Sequence, residues 1–376
     1  MAIDGNVRVG SGKLKRFLLG RSIEDWLDTE RDNILQLRLI AALLVILGHC
    51  FVLVRAGADP VSAVFPRTQT HLVGVMMFFV ISGFLITLSW ERRPDLWRFL
   101  RARALRLWPG LAVCVAIWAF LLGPLLTDLA LHTYFGAGDR LGNVYGHFFG
   151  NLSLLKMHWF LPGVFSDNPV ERYVNGSLWT IPVEATLYLC VAALGVLRLF
   201  RFPWITSFLI CALISWLVLW PMYTGHLRVT GIAWLGLNLA GFFAAGSVAC
   251  LLRRYIPVSS FLMLAVGIIG VAGQRTAHAM PFTMLFVTYF VFWFAYVPRI
   301  PPIPAQLDVS YGVYLWGFPV QQVLVLAGIE NGWLLFVATT PIVLLVGAAS
   351  WLLVEKPALR MKDWRRRSKR PAIASG

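Results

Sequence analysis

The chain has 376 residues, of which 58% are hydrophobic and only 14% charged, with a mean hydropathy of +0.71. Soluble domains run near 45–50% apolar and about 25% charged, so neither a soluble globular protein nor a disordered one fits. A net charge of +15 would suggest a nucleic-acid partner in a soluble protein. In a chain this apolar, basic loops on the cytoplasmic side of a membrane account for it, and no nucleic-acid partner is expected.

The first 33 residues are polar, carry Lys13, Lys15, Arg16 and Arg21, and hold no secretory signal. Ala56-Gly57-Ala58 resembles a cleavage site, but the apolar run before it is too long for a signal and is retained. Hydropathy places spans near 34–54, 71–90, 107–127, 177–198, 203–221, 229–252, 257–273, 278–297, 309–327 and 332–353. No internal repeat is visible, which argues against a transporter built from inverted halves. Ten spans put both termini on one side, and sorting the basic residues by that topology leaves 25 on the terminus side against 7 on the other. Such a bias marks the terminus side as cytoplasmic.

The expected architecture is therefore all-α, a polytopic integral membrane bundle of about ten transmembrane helices. Residues 1–33 form a cytoplasmic segment, 34–354 the transmembrane domain and 355–376 a basic cytoplasmic tail. In that tail Arg365-Arg366-Arg367, Lys369 and Arg370 meet anionic lipid head groups. The long outer connection at 128–176 is expected to be a lid or a partly re-entrant segment. Its His132, His147 and His158 lack metal-ligand spacing and read as surface or interface residues, so no metal is expected. Cys50, Cys114, Cys190, Cys211 and Cys250 are scattered through apolar runs and read as small hydrophobes.

Ionisable side chains inside spans are costly and point to function. Arg38 and His49 are eleven residues apart in the first span; at 100° per residue that is within ~20° of three turns, so both project from one face, ~16 Å apart along the axis. Arg38 alone is explained by snorkelling to the inner head groups, and His49 alone by an interhelical hydrogen bond. Their shared face favours a joint role. Glu184, in a span running the other way, sits at matching depth, where a carboxylate would orient the His49 imidazole or pair with another base. Asn175 and Ser177 just before it read as helix-capping residues.

Arg92, Arg93, Arg98, Arg101, Arg103 and Arg106 crowd fifteen residues between the second and third spans, interleaved with aromatic and aliphatic side chains. They form either a dock for phosphates, which arginine's planar fork suits, or a strong topology signal. Glu355 either holds one of these arginines in place or is solvated. Ser82-Gly83 reads as a close-packing pair more readily than as a nucleophile. Tyr311, Tyr314 and Trp316 suit packing and the interface belt, while the amides of Gln321 and Gln322 suit hydrogen bonds to a sugar.

These residues resemble the signature of the acyltransferase-3 membrane proteins. The similarity rests on six blocks in order: Arg38 with His49, Phe78-Phe79-Val80-Ile81-Ser82-Gly83-Phe84-Leu85, Arg101-x-Arg103-x-x-Arg106-x-x-Pro109, Ser177-x-Trp179-x-x-x-x-Glu184, Ser310-Tyr311-x-x-Tyr314-x-Trp316, and Val354-Glu355-Lys356-Pro357. Gly317 departs from the pattern, where many members carry histidine.

The resemblance implies a bacterial inner-membrane enzyme. It would move an acyl group, usually acetyl, from acyl-coenzyme A to a hydroxyl of a polysaccharide or other glycan. Many relatives carry a fused extracytoplasmic esterase-like domain; none is expected after the tenth span here, so a separate extracytoplasmic partner is the alternative to direct transfer. The phosphates of the donor would meet Arg38, Arg101, Arg103 and Arg106. His49 would act as general base with Glu184 orienting it, or would itself carry the acyl group. Trp179, Tyr314, Trp316 and Gln321 are the candidate acceptor contacts, with Ser82 and Glu355 in support. A transporter or flippase for an anionic or lipid-linked substrate remains the alternative from another class.

Overall fold

A computed structural model describes residues 20–29, 31–55, 57–136, 142–155, 157–219, 231–276, 279–304 and 307–363. The basic tail from residue 364 on, Lys13, Lys15 and Arg16, and Ala56 lie outside the described residues.

Among the described residues ten helices carry the fold: α1 (Ile34–Leu53), α2 (Thr70–Arg92), α3 (Leu96–Ile117), α4 (Thr180–Val196), α5 (Pro203–Ile214), α6 (Gly231–Leu251), α7 (Ser260–Gly273), α8 (Ala279–Tyr296), α9 (Ser310–Leu326) and α10 (Gly332–Ser350). Among the described residues seven helical stretches are long and apolar enough to cross a bilayer, including Leu96–Leu126, Gly176–Val196 and Gly332–Arg360, where adjoining turns extend α3, α4 and α10. The other three expected spans, α5, α7 and α9, are helices of 12, 14 and 17 residues. The chain is a polytopic helical membrane bundle.

The third helix starts earlier than hydropathy placed it. Asp95 caps α3 by accepting from the backbone N–H of Arg98 at 2.8 Å, and arginine is a good helix former. Arg98, Arg101, Arg103 and Arg106 therefore ride on the first three turns of α3 and not on a loop.

The chain divides into two compact units. The first comprises residues 1–45, 59–92 and 197–305; the second comprises 46–58, 93–196 and 306–376. In the first, α2 and α6 meet backbone to backbone. A side chain at Gly83 would overlap the Phe243 carbonyl, and one at Gly246 the Val80 carbonyl. Ser247 Oγ sits 3.2 Å from the Gly83 and Phe243 carbonyl oxygens and accepts from Thr87 Oγ1 at 3.1 Å. Ser82, next to Gly83 in α2, is half-buried. At one end of this unit β1 (Arg21–Ser22) pairs antiparallel with β2 (Pro257–Val258). Arg253 there binds Glu91 at 2.7 Å and approaches Glu24 at 3.8 Å. Asn33 donates to the Phe294 and Pro298 carbonyls, fastening the start of α1 to the end of α8.

The second unit contains α3, α4, α9, α10 and the connection at 128–176. That connection folds into short turns: a helix at Leu131–Gly136, a π-helical turn at Gly146–Gly150, and two isolated bridges, Thr127 with Val164 and Phe160 with Tyr173. His147 is buried there, 1% exposed, and not on the surface. Burial holds its imidazole down to about 4 from the ordinary 6.5. Cys190 and Cys211 are exposed on their helices, whereas Cys50, Cys114 and Cys250 are buried.

Candidate active site in the second unit

Two arginines three residues apart on α3 have opposite surroundings. Arg106 is committed on every side. Its guanidinium binds Asp308 at 3.0 Å and lies 3.7 Å from Glu355, a carboxylate that is 1% exposed. Tyr311 and Trp351 flank it, with ring centroids 5.5 and 5.9 Å away. The Tyr311 hydroxyl in turn donates to the Leu107 carbonyl at 2.8 Å. A cation so enclosed braces α3 against α9 and the C-terminal end of the last apolar stretch; it has little left for a ligand.

Arg103 has a different environment. Its guanidinium carbon stands 5.8 Å from the Phe99 ring centroid and 5.9 Å from that of Tyr188. Its buried Nε has no hydrogen-bond partner, and among the described residues the side chain makes no ion pair. Glu184 contributes a favourable charge nearby, while its carboxylate accepts a hydrogen bond from the Tyr188 hydroxyl one turn along α4. Arg101 donates to the Met361 carbonyl at 2.6 Å, holding the segment after α10.

The face of α9 is shaped by a proline. Pro319 has no N–H, so the carbonyl of Leu315 four residues earlier loses its helical donor. Asn175 Nδ2 supplies one at 2.9 Å, and the Cys114 thiol lies 3.7 Å from the same oxygen. Asn175 also caps the turn at Gly176–Trp179 that leads into α4, its Oδ1 accepting from the Ser177 N–H. One side chain thus joins the entry of α4 to the middle of α9. Next to the proline, Phe318 packs edge-on to the His49 imidazole with centroids 5.2 Å apart. At Gly317 a side chain would collide with Ile46 Cδ1, so an aliphatic group of α1 fills that place.

Gln321 completes this contact with α1. It is fully buried and donates to the Ile46 carbonyl at 2.7 Å, with Cys50 Sγ at 2.8 Å. Its Oε1 is buried without a hydrogen-bond partner among the described residues. Gln322 donates to the Val170 and Tyr173 carbonyls and pairs with Asn168, pinning the outer connection to α9.

The expected acceptor contacts are buried or half-buried. Tyr314 is buried, its hydroxyl 2.8 Å from the Ser177 carbonyl and 2.6 Å from Thr180 Oγ1. Gln321 is spent on α1, Trp316 is 8% exposed, and Trp179 is half-buried at the entry of α4. The Tyr314 hydroxyl and the Gln321 Nε2 are thus engaged inside the bundle, while Gln321 Oε1 is left without a partner among the described residues. Arg106, expected among the donor ligands, has the bracing role just described. Arg38 belongs to the first unit, half-buried on the same helix as His49.

Sequence reasoning missed Asp308, Tyr188 and the second role of Asn175. Tyr188 was detectable as the i+4 neighbour of Glu184, and Pro319 signalled an orphaned carbonyl in need of a donor. No local signal marks Asp308 as the partner of Arg106, 202 residues away.

Comparison with known proteins identifies the family. The acyltransferase-3 family model, described as an acyltransferase domain, matches residues 26–353. The chain is 26% identical to a protein named O-acetyl transferase from Shigella phage Sf6, over 85% of this chain and 93% of the relative. It is likewise 26% identical to Nodulation protein 10 of Rhizobium leguminosarum bv. viciae, over 88% of this chain and 94% of that relative. No solved structure matches it significantly. The family match runs across nearly all the helices that build both units, and the chain belongs to the acyltransferase-3 family of membrane acyltransferases.

Proposed function

We propose that the protein moves an acetyl group from acetyl-coenzyme A to a hydroxyl of a glycan, in a bacterial inner membrane and with both termini in the cytoplasm. The observation that carries this reading is Arg103: a guanidinium held between two aromatic rings, with none of its hydrogen-bonding groups committed among the described residues. Such a group favours a phosphate ligand, which offers paired oxygens to the planar fork. Coenzyme A is a cytoplasmic polyanion of that kind. The name of the phage relative favours acetyl as the group transferred.

In this reading Arg103 and Arg101 hold donor phosphates while Arg106 keeps α3 in place. His49 takes the proton from the acceptor hydroxyl as its oxygen attacks the thioester carbonyl; the carbon–sulfur bond then breaks and the imidazolium returns a proton to the leaving thiolate. Glu184 supports the positive charge during that cycle. A base placed in this way contributes ~10²–10⁴-fold.

The test compares cell-surface glycans by mass spectrometry with and without the gene, and measures acetyl-coenzyme A affinity of purified wild type and Arg103→Ala. Loss of acetylated glycan without the gene and weakened donor binding in the variant are expected. Unchanged glycans together with unchanged donor affinity would overturn the assignment.

A further inference from the structure

We infer that Tyr188 is a positioning residue that couples the donor-binding guanidinium to the carboxylate of the site, its ring carrying Arg103 and its hydroxyl holding Glu184. This inference rests on the acyl-transfer reading above and adds a residue to it.

Tyr188 lies four residues after Glu184 on α4, so the two side chains share one helix face. The residue is 5% exposed, and its hydroxyl donates to Glu184 Oε1. The other buried tyrosines of the second unit use their hydroxyls differently. Tyr134 donates to the Ala119 carbonyl, Tyr311 to the Leu107 carbonyl and Tyr314 to the Ser177 carbonyl. Those three satisfy backbone and so fasten helices. Tyr188 instead donates to an ionisable side chain, the Glu184 carboxylate.

The ring has a second partner. The Arg103 guanidinium stands 5.9 Å from its centroid, while Phe99 takes the cation at 5.8 Å. Holding a cation by ring faces fixes its position without consuming its N–H groups. A carboxylate in the place of Tyr188 would bind the same guanidinium and use those donors. Tyrosine is thus the residue type that can orient Glu184 with one end and present Arg103 with the other.

The two ends are separable by mutation, which makes the inference testable with the full-length enzyme in detergent or nanodiscs. Tyr188→Phe keeps the ring and removes the hydroxyl. It is expected to lower kcat about 10- to 100-fold, the range for a hydrogen bond to a charged group, with the KM for acetyl-coenzyme A within about twofold. Tyr188→Leu also removes the ring face and is expected to raise the donor KM about 2- to 30-fold above that of Tyr188→Phe. A Tyr188→Phe protein with wild-type kcat, or a Tyr188→Leu protein with the same donor KM as Tyr188→Phe, would overturn it. So would a parallel fall of both parameters with a lowered melting temperature in Tyr188→Phe, which would assign the tyrosine to the fold. Glu184→Gln separates this failure from that of the reading beneath it. Full turnover in Glu184→Gln would remove the carboxylate from the mechanism, whereas an inactive Glu184→Gln beside an unaffected Tyr188→Phe would sink only the coupling.

Discussion

The two units hold their helices together by opposite means. In the first, α2 and α6 approach so closely at Gly83 and Gly246 that no side chain fits in the seam, and the hydroxyls of Ser247 and Thr87 bridge what remains. In the second, α3, α4 and α9 are joined through long polar side chains: Arg106 with Asp308 and Glu355, Asn175 with Leu315, Gln321 with Ile46. At the α2–α6 seam the close approach leaves no room for a side chain at either glycine. Polar packing brings ionisable groups inside the bundle and commits Arg106 to carboxylates, which sets the Arg103 guanidinium, held by ring faces, apart from it.

The largest effects are expected at Gly83 in the first unit and at Arg106 in the second. Gly83→Leu puts a branched side chain into the Phe243 backbone, and overpacking of this kind costs about 1–3 kcal/mol or more. Membrane abundance and thermal stability in detergent should both fall sharply; a stable Gly83→Leu protein would break the contrast between the units. In the second unit, Arg106→Ala leaves Asp308 and Glu355 without their cation and should destabilise by about 3–5 kcal/mol. Arg103→Ala, by contrast, should keep the melting temperature close to wild type while weakening donor binding, and Arg103→Lys should restore only part of it because a point charge lacks the fork. Equal thermal losses at the two positions would erase the distinction drawn here.

A smaller effect belongs to the outer connection. His147 has a folded pKa of about 4 against 6.5 unfolded, so between those values the unfolded chain binds the extra proton. Its contribution to stability is fully present above about pH 6.5 and is lost as pH falls toward 4, amounting to roughly 3 kcal/mol at most. Thermal melts across that window should show a slope that His147→Gln flattens; an identical slope in the variant would contradict the burial of this imidazole.

Much of the fold was legible because apolar runs of span length identify helices without any knowledge of their neighbours. Asn175 is also a local signal, since a capping side chain acts within three residues. The start of α3 was misplaced because arginines lower hydropathy without weakening helix formation, and α9 is short for a span because aromatic, amide and proline residues crowd it. Site residues were readable as types in an unusual place. Their division of labour was not, since Arg103 and Arg106 differ only in what other helices bring to them. Asp308 and Glu355 come from distant segments, and no spacing rule within α3 reveals which arginine they neutralise.

The most direct test is release of free coenzyme A thiol by the purified protein, incubated with acetyl-coenzyme A and a glycan acceptor, for wild type and His49→Ala at equal abundance. Acceptor-dependent thiol release that drops ~10²–10⁴-fold in the variant is the expected result. Undiminished release by His49→Ala, or movement of a glycan across the membrane without consumption of thioester by the wild type, would contradict the account.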